Sequence, residues 1–168
     1  MIMNHCVWGF DASTLYTTDG RYLMRSGVDQ SGLISPATYV ATVNSEQIFY
    51  DRVARRLCSN QGLNLDEQGQ THGSFVLPNQ NTLGACTGVA DGANRKVFFA
   101  CHDQGGLTIR SYDADTSVPI ARVRLVPCDT KSFCIGVPGS TRVVRWGTDG
   151  LAVATGRVLH LYRGPFVH

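Results

Sequence analysis

The stretch Lys96-Val-Phe-Phe-Ala-Cys-His-Asp-Gln-Gly-Gly-Leu-Thr-Ile-Arg-Ser-Tyr-Asp-Ala-Asp-Thr-Ser-Val-Pro-Ile-Ala-Arg-Val-Arg-Leu-Val126 decides the fold class of this 168-residue chain. Its β-branched and aromatic residues fall into three short runs, each cut by Gly, Asp or Pro, which predicts three consecutive β-strands. Val97 to Ala100 is apolar throughout, so both faces of that strand are expected to be buried. The paired glycines after Asp103 supply the positive φ of a tight reversal. Leu107 to Tyr112 then alternates, and Asp113-Ala114-Asp115-Thr116 can turn the chain by local side-chain bonds. Ile120 to Val126 carries Arg122 and Arg124 on one face and reads as an outer, solvated strand.

Working outward, the same order of strand, turn, strand and Asp-turn recurs. Val7 to Asp11 leads into Leu15 to Thr18, and Asp19-Gly20 is a hairpin signal before Arg21 to Arg25. A shorter version starts at Tyr39 and runs to Leu77, and a last one runs from Thr141 to Tyr162, where Trp146-Gly-Thr-Asp149 echoes Trp8-Gly-Phe-Asp11. The turn aspartates Asp29, Asp66 and Asp113 lie 37 and 47 residues apart, close to the ~40–50 residues of one four-stranded propeller blade. The expected architecture is therefore all-β: one domain over residues 1–168, a β-propeller-like array of about four antiparallel blades at roughly 7–34, 37–77, 84–126 and 141–163. The one helix-permissive segment, Asp51 to Arg56, is short and uncapped and reads as a loop.

Trp146-Gly-Thr-Asp-Gly-Leu-Ala-Val-Ala-Thr155, with Val97-Phe-Phe-Ala100 and Ile109-Arg-Ser-Tyr-Asp-Ala-Asp-Thr116, resembles the blade motifs of bacterial YVTN-type and WD40-like β-propeller repeat proteins. The resemblance covers Val7 to Tyr162 as repeat texture. It implies a secreted or cell-envelope setting and says almost nothing about function; the leading expectation is a non-enzymatic binding or structural module whose ligand or partner is held by loops at one face. Propellers of that family have six to eight blades, whereas this chain holds about four. That leaves open part of a longer propeller, a compact four-bladed form, or a half that pairs with a second copy through exposed blade edges.

Composition narrows the function classes. With 43% hydrophobic and 17% charged residues and a net charge of +2, nothing argues for nucleic acid or an anionic membrane. No apolar run approaches the ~18 residues of a membrane span. Met1 to Cys6 lacks the basic start and apolar core of a secretory signal. None of the six cysteines stand as Cys-x-x-Cys, which favours structural thiols or disulfides over a zinc site. Cys86 and Cys101 flank a predicted hairpin turning at Asp91 to Asn94, Cys128 and Cys134 bracket a short loop, and Cys6 and Cys58 have only each other or the core.

Chemistry-bearing motifs are sparse. His5, His72, His102, His160 and His168 include no two at ligand spacing on one element, and neither Gly-x-Ser-x-Gly nor His-Glu-x-x-His occurs. Gly136 to Thr141 lacks the lysine and spacing of a phosphate loop and reads as a turn. His102 and Asp103 at one blade turn, and Asp113 and Asp115 at another, are the candidate ligand-binding residues, with solvated turns as the plainer reading. Asp113 and Asp115 alone supply too few oxygens for calcium. Trp8 and Trp146 are expected between blades. No catalytic residue, metal site or cofactor is implied, and the expected partner is a protein or a carbohydrate. The alternative is a metal-dependent hydrolase or lactonase of the propeller class, which requires Asp11, Asp91, Asp149 and His102 to converge on one point.

Overall fold

A computed structural model of the chain describes residues 5–9, 11–78, 86–103, 106–127, 141–155 and 158–164. The chain is all-β and propeller-like, with four antiparallel sheets, each a meander of strands consecutive in sequence. The first sheet holds β1 (His5–Trp8), β2 (Thr14–Thr18), β3 (Tyr22–Gly27) and β4 (Thr38–Thr42). The second holds β5 (Ile48–Asp51), β6 (Arg56–Ser59), β7 (Leu63–Asp66) and β8 (Thr71–Ser74). The third holds β9 (Cys86–Asp91), β10 (Lys96–Asp103), β11 (Gly106–Asp113) and β12 (Pro119–Pro127). In the fourth, β13 (Thr141–Trp146), β14 (Gly150–Thr155) and β15 (Val158–Arg163) are described. The stretch 39–43, read from sequence at the head of the second unit, is hydrogen-bonded to β3 as the outer strand of the first sheet.

The sheets stack face to face. Among the described residues, β1 touches β5, β5 touches β9 and β9 touches β13, so the opening strands line one edge of the stack. Three apolar layers fill the gaps. Tyr16, Leu23, Ile48, Leu57 and Leu65 lie between the first and second sheets. Cys58, Phe75, Val97, Phe99 and Tyr112 lie between the second and third, and Phe98, Ala100, Ile109, Val143, Leu151 and Val153 between the third and fourth. Val97 to Ala100 therefore feed both layers flanking the third sheet and are wholly buried, as a strand apolar on both faces requires. β11, whose sequence alternates, is also largely buried on both faces, because the hydroxyls of Thr108 and Ser111 are enclosed along with Leu107 and Ile109, while Arg110 is half-buried. Gly88 allows the second and third sheets to approach: a Cβ there would stand 2.3 Å from Phe49 Cε1.

Local turn chemistry sets the order. Asp29, Asp66 and Asp113 occupy the same place in three sheets, the turn between third and fourth strands. Each carboxylate accepts backbone N–H groups two and three or four residues ahead: Ser31 and Leu33, Gln68 and Gln70, Asp115 and Thr116. The left-handed position is Gly32 (φ 82°) or Gly69 (φ 83°) in the first two. In the third, one residue longer, it is Ser117 (φ 60°). Asp51 to Arg56 is a turn as expected, and the only helical residues among those described are the single 3₁₀ turn Gly92–Asn94.

These bonds favour the ionised aspartates. The Ser31 hydroxyl, then Leu33 N–H, holds Asp29 below the ordinary carboxylate range. Thr116 N–H and hydroxyl do the same for Asp113. At Asp66, burial pulls the other way, but His72 and the N–H groups of Gln70 and Gln68 outweigh it. A depressed folded pKa gives stability that is present above the unfolded value of about 3.9 and is lost as pH falls through the folded value. The urea midpoint is expected to stay level above about pH 5 and to fall below pH 4. An Asp29→Asn, Asp66→Asn, Asp113→Asn variant, which keeps an acceptor oxygen at each turn, is expected to show a shallower fall. Equal acid sensitivity in the two proteins would contradict this.

Cys86 and Cys101, directly opposed in the β9–β10 register with Cα atoms 4.1 Å apart, form a disulfide inside the layer between the second and third sheets. Cys58 is a buried thiol in the same layer. Burial first, and then the nearby Asp51 carboxylate, pushes its pKa far above the usual thiol range. Cys6 is exposed on β1. The Cys128 and Cys134 pair lies outside the described residues.

A candidate ligand cleft between the second and third sheets

In an up-and-down meander, the turn joining first and second strands and the turn joining third and fourth strands fall at the same end of the sheet. Asp11, Asp51, Asp91 and Asp149 in the former, and Asp29, Asp66, Asp113 and Asp115 in the latter, therefore share one end of the stack. His102 and Asp103 close the opposite end of β10, where Asp103 pairs with Gly106 while Lys96 pairs with Asp113. Seven residue steps of about 3.4 Å put the two ends roughly 24 Å apart. The structure brings Asp113 and Asp115 together in one turn and leaves His102 and Asp103 away from them.

Asp11 and Asp149 each have a local partner. Asp11 accepts the Ser13 N–H at 3.0 Å, and Asp149 lies 3.5 Å from Arg163 Nε. His102 Nε2 is 2.5 Å from Thr141 Oγ1, a link between the third and fourth sheets. Among the described residues no group of three or more His, Cys, Asp or Glu is placed to hold a metal ion. His160, half-buried on β15, stacks on Tyr162. Trp146, expected between sheets, points instead away from the third sheet, 38% exposed, with the Arg163 guanidinium 4.7 Å from its ring centre. Its strand partner Gly150 has no side chain, and among the described residues no fifth sheet covers that face. The Trp8 side chain and the segments 104–105 and 136–140 lie outside the described part of the chain.

The feature that sequence reading missed is Asp51. Together with Val53 and Ala54 of its turn, Gly92 and Arg95 of the third sheet's first turn, and Ala114 and Asp115 of its last, it lines a cleft of about 200 Å³. Asp51 is 1% exposed. Its Oδ1 accepts the N–H groups of Val53 and Ala54 at 3.0 and 3.1 Å. Its Oδ2 is buried without a hydrogen-bond partner among the described residues. Across the cleft, Arg95 is occupied by Asp115, with Nε donating to Oδ2 at 2.7 Å and Nη2 also in contact.

The next sheet shows what such a position takes. Asp91 ends β9 as Asp51 ends β5, and each is followed four residues later by a left-handed arginine, Arg55 or Arg95, both at φ 53°. At Asp91 the second carboxylate oxygen is met by Arg145 Nη2 at 3.1 Å, reaching from the fourth sheet, and by Asn94 Nδ2 at 2.9 Å. At Asp51 the facing strand β9 offers Gly88, Val89 and Ala90, and among the described residues no guanidinium arrives. The sequence signal was present in Asp51-Arg-Val-Ala-Arg-Arg56 beside Asp91-Gly-Ala-Asn-Arg-Lys96, two turns 40 residues apart with the same acid and base positions.

No protein-family description and no curated sequence matches the chain. Solved structures do match its fold. A candidate 6-phosphogluconolactonase from Bacteroides uniformis ATCC 8492 superposes with a TM-score of 0.62 at 12% identity, covering 95% of this chain and 49% of that one. Hydrazine synthase of Kuenenia stuttgartiensis gives 0.56 at 14%, with 95% and 49% covered. BamB from Moraxella catarrhalis gives 0.51 at 18%, with 89% and 48% covered. The chain thus spans about half the length of these solved proteins, and the likeness extends to the fold alone: four successive sheets of a propeller-like array.

Proposed function

We propose that the chain is a non-enzymatic binding module of a protein outside the cytoplasm, and that the cleft at Asp51 receives a basic side chain, lysine or arginine, of a protein partner. The observation that carries this reading is the pairing of Asp51, whose Oδ2 is orphaned, with its counterpart Asp91, whose oxygen holds a guanidinium. A buried carboxylate oxygen without a donor is costly, and a charged donor supplies the strongest remedy. With Asp51, Asp115 and Arg95 the cleft carries one net negative charge, which a single cation balances. At about 200 Å³ it is smaller than the ~300–1,000 Å³ of small-molecule pockets and suits one side chain. The buried disulfide supports an oxidising compartment such as the cell envelope. Against the hydrolase or lactonase reading stands the dispersal of Asp11, Asp91, Asp149 and His102 to separate partners and opposite ends of the stack.

The test is a titration by fluorescence anisotropy of a labelled peptide containing lysine and arginine, beside a twin in which both are glutamine. The wild-type chain is expected to prefer the basic peptide. Asp51→Asn is expected to weaken that binding roughly 10- to 100-fold, the range of a charged hydrogen bond of about 1.5–3 kcal/mol. Arg95→Ala, which removes a competing cation from an exposed position, is expected to tighten it. Equal binding of the two peptides, or no change in either variant, would mean that Asp51 holds only internal water.

A further inference from the structure

We infer that a second groove, between the outer strands of the second and third sheets, holds a glutamate or aspartate side chain of a protein partner between the guanidinium groups of Arg110 and Arg122. One row of residues crossing the third sheet carries Gly88, Phe99, Arg110 and Arg122 in register. Phe99 is buried in the layer that faces the second sheet, so the two arginines continue that face outward beyond the core. They stand directly opposite each other on β11 and β12, where Cβ atoms are about 4.5–5.5 Å apart and like charges repel. Arg124, two residues along β12, lies on the same face. A stripe of like charges draws the opposite charge from solution.

The two guanidinium groups line a groove of about 320 Å³ with Val76, Tyr112, Pro119 and Ile120, and no carboxylate of the described residues is among its walls. The acids of the adjoining turn are engaged elsewhere: Asp113 accepts the N–H groups of Asp115 and Thr116, and Asp115 meets Arg95. The wall is fixed before any partner arrives. The Tyr112 hydroxyl donates to the Val76 carbonyl at 2.6 Å, tying the two sheets together, and Arg110 bonds to that same neutral hydroxyl. A carboxylate is the group whose two oxygens match guanidinium forks. The flanks select a peptide segment over an enclosed small molecule: Val76 is 68% and Ile120 50% exposed, whereas a small-molecule pocket buries most of its ligand. The groove shares no lining residue with the cleft at Asp51, so the inference rests on the proposed function only in taking the partner to be a protein.

The experiment is fluorescence anisotropy with a labelled peptide that carries glutamates among leucine and serine and no basic residue, beside a twin with glutamine in place of each glutamate. The wild-type chain is expected to prefer the acidic peptide, and the preference to shrink as salt rises. Arg122→Gln, at an exposed position, is expected to weaken the acidic peptide roughly 10- to 100-fold, the range of one charged hydrogen bond, and to leave the twin unchanged. Arg122→Lys, which keeps the charge and loses the fork, is expected to fall between wild type and Arg122→Gln. Circular dichroism and the urea midpoint confirm that each variant folds. Asp51→Asn is expected to bind the acidic peptide as the wild type does, which separates a failure at this groove from one at the Asp51 cleft. Equal binding of the two peptides by the wild-type chain would overturn the inference whatever the variants do, and so would wild-type affinity in a folded Arg122→Gln. Free glutarate binding as tightly as the peptide would overturn the assignment to a protein partner.

Discussion

Replacing Phe99 by alanine is expected to cost about 3–5 kcal/mol, a large part of the ~5–15 kcal/mol that holds a typical domain together. Phe99 is 0% exposed, and its ring is the meeting point of three others: Phe49 at 5.7 Å, Phe75 at 5.3 Å and Tyr112 at 5.8 Å between centroids. Phe49 and Phe75 come from the second sheet's side of the layer, Phe99 and Tyr112 from the third. Deleting the ring therefore opens a cavity that neither backbone can collapse to fill, and it also removes edge-to-face contacts worth roughly 0.5–1.5 kcal/mol each. Urea unfolding of Phe99→Ala beside Phe99→Leu is the measurement. A loss below about 1 kcal/mol for alanine would mean that the two sheets are not held together here.

The second large effect is expected at the disulfide. Cys86 and Cys101 are 15 residues apart, and a closed loop of that length constrains the unfolded chain by about 3 kcal/mol. Both positions are buried, so the suitable comparison is Cys86→Ala with Cys101→Ala, which leaves no unpaired thiol at either position. The double variant is expected to unfold at a lower urea midpoint than the oxidised wild type. Reductant is expected to lower the wild-type midpoint towards that of the variant and to leave the variant unchanged. A wild-type midpoint indifferent to reductant would show that the bond adds nothing to the hairpin that already brings the two residues together.

What could be read in advance follows the range of the forces involved. The strands from Lys96 to Val126, the opposition of Cys86 and Cys101 and the placing of Asp29, Asp66 and Asp113 at turns depend on residues a few positions apart, and the sequence displays them. The sheet to which 39–43 belongs depends on whether β3 or β5 offers the free edge, and both flanking runs look alike. The burial of Asp51 and the exposure of Trp146 were illegible for one shared reason. Each depends on what lies across a sheet face: the small residues of β9 in the first case and, among the described residues, no further sheet in the second. A turn aspartate and a strand tryptophan look the same in sequence whether a neighbour covers them or not.

Each sheet is a contiguous stretch of chain, and among the described residues its main contacts are with the sheets before and after it. The protein can therefore change length in whole units without redesigning an interior: a duplicated segment would bring its own layer and present the same terminal faces as before. Size in this architecture is a count of such units.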